Sequence, residues 1–348
     1  MPVTKSINKP SGSDYVDAAS FIAAAKVAGD AWTGECYHDG VDGNCGGFTV
    51  LAGTWTNPNK VTLTAAPGCG HATKGRTTAY WDAQGIAYLG RIDIQPVGAI
   101  DFDIDGPVIV DATNTPLFIF NTRMGIIADC LIVCGSSNVA HKCLDVSWLT
   151  GGFNWSDVTI RNCAIHRFGG TANDYAVVTS GHPFGSASNR LTLQDCSITT
   201  ADGGAYARAV RQITAQGSVI ATGCIGICEA GGAVPAWAAP TAPAVLTCDH
   251  CADKDNSAQT SGGDANNVTS ATAWADWFVD PDDDWHVDEV TGIALKAGTP
   301  IVGVTTDIDG QTRDAVTPWI GCDEITGGVG RLVNQTPLTS CVDGRLHS

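Results

Sequence analysis

The chain has 348 residues, 44% hydrophobic and 16% charged, with 41 Gly and a formal net charge of −17. This balance supplies a continuous core and excludes a disordered chain. The acidic excess argues against a nucleic-acid or anionic-membrane surface, since both reward clustered Lys and Arg, and no apolar run of about 18 residues predicts a transmembrane helix.

Residues 1–13 read as an irregular arm rich in Pro, Ser and Gly. They lack the apolar stretch of a secretory signal, so either the protein is used without export by that route or a signal has been removed. Asp14 is placed to cap a short helix running to about Val27, with Asp17 three residues later echoing a capping box. Ala18, Phe21, Ile22 and Ala25 would share one face of that helix, which could cover the open end of a stacked-strand fold. From Ala31 to about Val110, strand-like runs such as Phe48–Leu51, Val61–Thr64 and Arg91–Ile94 alternate with Gly, Asn and Pro turns.

Regular repetition follows, from about Phe102 to Ile227. Gly125-Ile-Ile-Ala-Asp-Cys-Leu-Ile132, Val158-Thr-Ile-Arg-Asn-Cys-Ala-Ile165 and Leu191-Thr-Leu-Gln-Asp-Cys-Ser-Ile198 place Cys130, Cys163 and Cys196 at steps of 33 residues. In the second and third copies, apolar residues fall five and three before the Cys and two after it. Inward positions on one strand are separated by even numbers, so the odd step to the Cys demands a corner. Asp129, Asn162 and Asp195 stand at that corner, and Asp and Asn tolerate a left-handed bend. Strand, corner and strand at a fixed period predict the rungs of a parallel β-helix. Fourteen Cys would usually suggest disulfides. Equivalent inward positions in a repeat predict instead mostly free, buried thiols.

Val234–Pro243 reads as a Pro/Ala-rich break, Cys248–Asn267 as a polar loop, and the tail from Phe278 as a distinct ending. The expected organisation is an arm and capping helix over 1–30, a parallel β-helix over 31–277 and a C-terminal capping segment over 278–348.

The Val158–Ile165 type of repeat resembles the right-handed parallel β-helix, or pectate-lyase-like, superfamily. The stretches Phe278-Val-Asp-Pro281, Asp284-Trp-His-Val287, Leu295–Ile301, Asp307-Ile-Asp-Gly-Gln-Thr-Arg313 and Trp319-Ile-Gly-Cys-Asp-Glu324 resemble the ending of many bacterial and phage members. This chain departs from that ending at Trp319, where Asp is usual, and at Cys322, where Ala is usual. Ser11-Gly-Ser-Asp-Tyr15, the Ala-rich helix after it and Gly34-Glu-Cys-Tyr37 are similar to members encoded in phage genomes. The resemblance implies an all-β, single-stranded right-handed parallel β-helix with an N-terminal capping helix and a C-terminal sealing segment. It says little of function, because that scaffold hosts lyases, hydrolases, adhesins and virion parts.

Lyases on this scaffold need acidic Ca²⁺ ligands on one strand face. Asp101, Asp103 and Asp105 alternate, so their carboxylates would share a face about 7 Å apart, the one candidate for a Ca²⁺ cofactor. A solvated strand face explains the same pattern. Ser180-Gly-His-Pro-Phe-Gly-Ser186 resembles polygalacturonase-like hydrolases, with Asp174 and His182 as candidate groups beside Asp103. The paired Asp and the Arg-x-Lys of that pattern are missing, and a Gly/Pro turn accounts for the segment. Cys248-Asp-His-Cys251 has the spacing of half a zinc site, but the sequence offers no second CxxC. Loop cysteines or a local disulfide are the simpler expectation. Asp307 and Asp309 begin a segment like a calcium loop, yet Pro318 stands where an EF-hand requires Glu. A structural role is expected there, with Arg313 paired to Asp323 or Glu324 and pinning the tail across the last rung.

No complete catalytic or metal set emerges. The expected function is therefore a non-enzymatic structural or binding protein, a virion component such as a capsid decoration, tail or fibre part, forming a homo-oligomer (a trimer is one candidate) with other virion or surface-assembly proteins. The alternative is a carbohydrate-active enzyme or depolymerase acting at an extracellular or cell-surface site. Carbohydrate is then the ligand; nucleic acid and membrane are not expected partners.

Overall fold

Short strands recur from Val3 to Thr269 in the computed structural model, each stacked on its equivalent one coil away, and form three parallel sheets. The structure describes residues 3–325 apart from 39–42, 52–53, 70–86, 96–97, 112–114, 121, 135–141, 149–156, 168–174, 182–189, 201–207, 213–216, 229–235, 239–244, 254, 259–265, 270–274, 281–283 and 289–291. The first sheet stacks Val3–Ile7, Trp32–Cys36, Val61–Ala65, Phe102–Asp105, Thr122–Ala128, Asp157–Arg161, Arg190–Gln194, Ser218–Thr222 and Val245–Asp249, with Gly98–Ala99 beside the fifth. The second runs from Tyr88–Leu89 through Val108–Asp111, Leu131–Cys134, Ala164–Arg167, Ser197–Thr200, Ile225–Cys228 and Ala252–Asp253 to Val268–Thr269. The third runs from Phe48–Val50 through Ile92–Ile94, Leu117–Phe120, Lys142–Trp148, Tyr175–Gly181 and Arg208–Gln212 to Trp237–Ala238. The chain is thus a parallel β-solenoid with one short helix.

Registry follows the apolar pattern. Val158 pairs with Leu191, Leu191 with Val219 and Val219 with Leu246, so each buried side chain stands on another. A slip of one residue would turn all of them outward. Between the first and second sheets the backbone turns at Gly106, Asp129, Asn162, Asp195, Gly223 and His250, each with positive φ. Asp129, Asn162 and Asp195 have φ of 53°, 51° and 48°, the left-handed region that their short side chains tolerate.

The residue after five of these corners is a cysteine, and the reason is chemical. Each corner carbonyl accepts a backbone N–H from the neighbouring coil and keeps a second lone pair. The thiols of Cys130, Cys163, Cys196, Cys224 and Cys251 each donate to the carbonyl two residues earlier, at 2.9, 3.1, 3.3, 3.4 and 3.5 Å. Cysteine is small and apolar enough for the core and carries a weak donor for that second lone pair. Every described cysteine is free, and all but Cys69 are buried.

Three expectations need correction. The irregular arm over residues 1–13 contains Val3–Ile7, which pairs in full register with Trp32–Cys36, so the solenoid begins before residue 31. The helix spans Ala18–Ala25, and its N-cap is Asp17, which accepts from Ser20 N at 2.7 Å. Asp14 instead accepts from Ser6 N and Ser6 Oγ. The helix does bury Ala18, Phe21, Ile22 and Ala25, with Phe21 packed edge-on against Tyr15. Finally, Cys248 and Cys251 are not loop cysteines: Cys248 lies on Val245–Asp249 and Cys251 follows the His250 corner, both in the core.

The described part of the tail, up to residue 325, does not cover the end of the stack. It lies along the outer face of the second sheet. Leu131, Val133, Ala164, Ile225 and Ile227 point away from the interior and pack under Trp277, Phe278, Leu295, Ile308, Trp319, Ile320 and Cys322. Every residue of Leu131–Cys134, Ala164–Arg167, Ser197–Thr200 and Ile225–Cys228 is consequently buried. Gly321 makes the closest approach: at φ +100° its N–H donates to Gly223 O at 2.7 Å, and a Cβ there would lie 2.6 Å from Ile225.

Candidate functional site

The acidic row behaves as strand geometry requires. Phe102 and Ile104 are buried while Asp101, Asp103 and Asp105 face away from the interior. Asp103 is committed to the architecture. The ladder between Thr122–Ala128 and Asp157–Arg161 is irregular between Arg123 and Ile126, and Asp103 Oδ1 accepts the Ile126 N–H at 2.8 Å. Gly125 makes room for that carboxylate, because a Cβ would overlap Asp103 Oδ1. Lys60 ion-pairs with the other oxygen, placing a cation of the protein's own on the acidic face. Asp129 lies next along the corner, where burial first, with the neighbouring Asp105 charge, raises its pKa to about 6. Asp174 and His182 lie outside the described residues.

A second constellation joins corner and tail. Asn162 Nδ2 donates to the Asp129 carboxylate and, at 3.2 Å, to Thr306 O. Arg313 is buried against the same corner. It donates to Trp319 O at 3.0 Å, to Gly321 O and to Asn162 Oδ1 at 3.4 Å. Its guanidinium stands 3.6 Å from Glu324 and 3.8 Å from Asp195. The expected pairing with Glu324 is present, but the clamp grips corners in the middle of the stack instead of the last rung. Asp195 is the floor of a cleft of about 380 Å³ lined also by Pro300, Ile301, Thr305, Thr312 and Arg313. Burial raises the Asp195 pKa to about 7, with Arg313 pulling the other way. A carboxyl that titrates near neutrality in a cleft is a recognised mark of acid–base chemistry. Here its neighbours are an Arg and a Glu that also hold the tail, and a buried clamp shifts pKa equally well.

The third constellation is the most concentrated. His286 from Asp284–Val287, Asp309 from the turn at Asp307–Gly310 and Asp323 bring one nitrogen and two carboxylates within 4.8 Å of one another, all buried. His286 Nε2 contacts Asp309 Oδ2, and Asp323 Oδ2 accepts from Val287 N at 2.6 Å. Asp307 fixes the turn: its Oδ1 accepts from Asp309 N at 3.0 Å and Gln311 N at 2.6 Å, and its Oδ2 from Glu324 N at 3.1 Å. Burial, with the Asp323 and Asp309 charges beside it, raises the Asp307 pKa to about 8.

Sequence reasoning picked out Asp307, Asp309, Arg313, Asp323 and Glu324 through the tail motif but missed His286, which stands 23 and 37 residues before Asp309 and Asp323. The signal was available only as the short Asp284-Trp-His-Val287 run. It also missed Cys224 and Cys251 as members of the thiol row, although Gly223-Cys224 repeats the corner pattern with Gly in place of Asp. No family model, no curated protein and no solved structure matches this chain.

Proposed function

We propose that this protein is a non-enzymatic structural or binding component of a larger assembly, a virion part such as a capsid decoration, tail or fibre protein, built on the right-handed, pectate-lyase-like form of the β-solenoid. One observation carries the reading: among the described residues, the polar side chains that could have formed a catalytic set are spent on the scaffold. Asp103 closes a ladder gap at Ile126 and pairs with Lys60, while Asp129, Asn162 and Asp195 turn the corners. An acid–base pair for glycoside cleavage needs two carboxylates facing one open bond, and those around Arg313 are tied to the tail.

The shape supports the same reading. One flank of the solenoid is sealed by the tail, whereas the outer face of the first sheet carries a column of short polar side chains. Thr4, Thr33 and Thr62 stand in register, as do Thr159 and Thr192 further along. Flat, rigid faces of this kind suit side-by-side packing of identical copies about a symmetry axis, and the −17 charge keeps free copies soluble and off DNA.

The test combines mass by light scattering with a screen of uronate and neutral polysaccharides in the presence of Ca²⁺. The expected result is a homo-oligomer that releases no reducing or unsaturated sugar. A strict monomer that cleaves one of these polymers, and loses that activity on Asp103→Ala or His182→Ala, moves the protein to the carbohydrate-active class.

A further inference from the structure

We infer that His286, Asp309 and Asp323 form a binding site for a single divalent transition-metal ion, Zn²⁺ foremost, that fastens the tail over the second sheet. The site is built from three separated pieces of the tail, so its geometry is a product of the fold and not of one loop. Their donor atoms converge within 4.8 Å, all on buried residues. Asp309 supplies an independent sign. Its side chain is 3% exposed, one oxygen faces His286, and the other, Oδ1, is buried with no hydrogen-bond partner. A buried carboxylate oxygen left without a donor is costly, and a cation among the three side chains would satisfy it.

The donor set selects the ion. Ca²⁺ takes six to eight oxygens and Mg²⁺ keeps most of its water, whereas one imidazole nitrogen with two carboxylates suits Zn²⁺ or a neighbour in the first transition row. Outer contacts already orient the ligands: Val287 N holds the Asp323 carboxylate, and Asp307 holds the backbone of Asp309. Such supporting bonds are characteristic of metal centres. Asp284–Val287, the turn at Asp307–Gly310 and the Asp323 segment become cross-linked through one atom, so the ion acts as a rivet for the cover. The site is independent of whether the protein is an assembly component or an enzyme.

The experiment uses the full chain, unfolded, stripped with chelator and refolded with or without ZnCl₂, followed by metal analysis, thermal unfolding and X-ray absorption at the zinc edge. The expected result is one Zn²⁺ retained per chain, a higher Tm with Zn²⁺ than without, and a first shell of nitrogen and oxygen with an imidazole signature. His286→Gln and Asp309→Asn are expected to lose the ion and the Zn²⁺-dependent part of Tm, while Asp249→Asn, at a half-buried corner outside the site, keeps both. If the two variants do not fold, the absorption spectrum of the unaltered chain decides. A sulfur shell would mean that the core thiols bind the ion and would overturn the assignment. So would a folded chain that retains no Zn²⁺, leaving His286 and Asp309 as a plain ion pair, or variants that retain it unchanged.

Discussion

The first and second sheets are built from the same rungs, yet their sequences look different. On the first sheet the pattern alternates: Val158 and Ile160 are buried, Thr159 and Arg161 half-exposed. On the second sheet Leu131-Ile-Val-Cys134 is apolar throughout and buried throughout. Alternation marks a strand with one wet face, and an unbroken apolar run marks a strand covered on both. The second sheet therefore announces a cover that the rungs alone cannot supply, and the tail provides it.

The sharpest way to probe that comparison is to put one charge on each sheet. Ile165→Asp places a carboxylate in the continuous core, where Ile165 is 0% exposed. The expected cost is several kcal/mol, comparable to the whole stability of a typical domain, so the variant should fail to fold. Thr159→Asp, outward on the first sheet between Ile126 and Thr192, should fold with nearly unchanged Tm. Equal stability of the two would overturn the register.

Next in size is the clamp between corner and tail. Arg313→Ala leaves Asp195 and Glu324 buried without their cation, which should cost about 3–5 kcal/mol. Urea unfolding measures the loss, and limited proteolysis should cut the tail before the solenoid. A loss below about 1 kcal/mol would place the clamp with ordinary surface ion pairs.

The outer faces of the two sheets can then be compared by truncation. Ile227→Ala opens a void under the tail and should cost about 2–5 kcal/mol. Thr192→Ala, on the uncovered face, should stay within about 0.5 kcal/mol. Similar losses would mean that both faces are equally covered.

The last probe reads a slope with pH and not a single loss. Burial raises Asp195 from 3.8 to about 7, against the pull of Arg313 and with the Glu324 charge adding to it. The folded chain thus holds a proton that the unfolded chain releases. That contribution to stability is complete below about pH 3.8 and is lost as pH rises through about 7. Asp195→Asn keeps a side chain that accepts the left-handed corner, as Asn162 does, and carries no titrating group. Its stability relative to the parent should improve across this window by at most about 1.4 kcal/mol per pH unit. A parallel pair of Tm–pH curves would show that Asp195 is ionised throughout.

The corners were legible because they rest on one residue's backbone preference: Asp129, Asn162 and Asp195 each precede a Cys at a constant interval. The row became invisible past Cys196, where the interval shortens to 28 and then 27 residues at Cys224 and Cys251. There Gly223 and His250 replace the Asx signal. The first strand was hidden because Val3–Ile7 alternates weakly and lies among Pro, Ser and Gly. The placement of the tail and the convergence of His286 with Asp309 and Asp323 depend on tertiary contacts between distant segments, and no local pattern encodes those. The unbroken apolar runs of the second sheet did carry the information that something must lie over them.

Hydroxyl-radical footprinting read by mass spectrometry tests the contrast between the sheets most directly, because it reports side-chain exposure on both in one experiment. Ile126 and Ile220, half-buried on the outer face of the first sheet, should be oxidised, whereas Leu131, Val133, Ile225 and Ile227 beneath the tail should be protected. Oxidation of Ile225 and Ile227 at the rate of Ile220 would contradict a sealed second sheet, and with it the division of the solenoid into a covered flank and a free one.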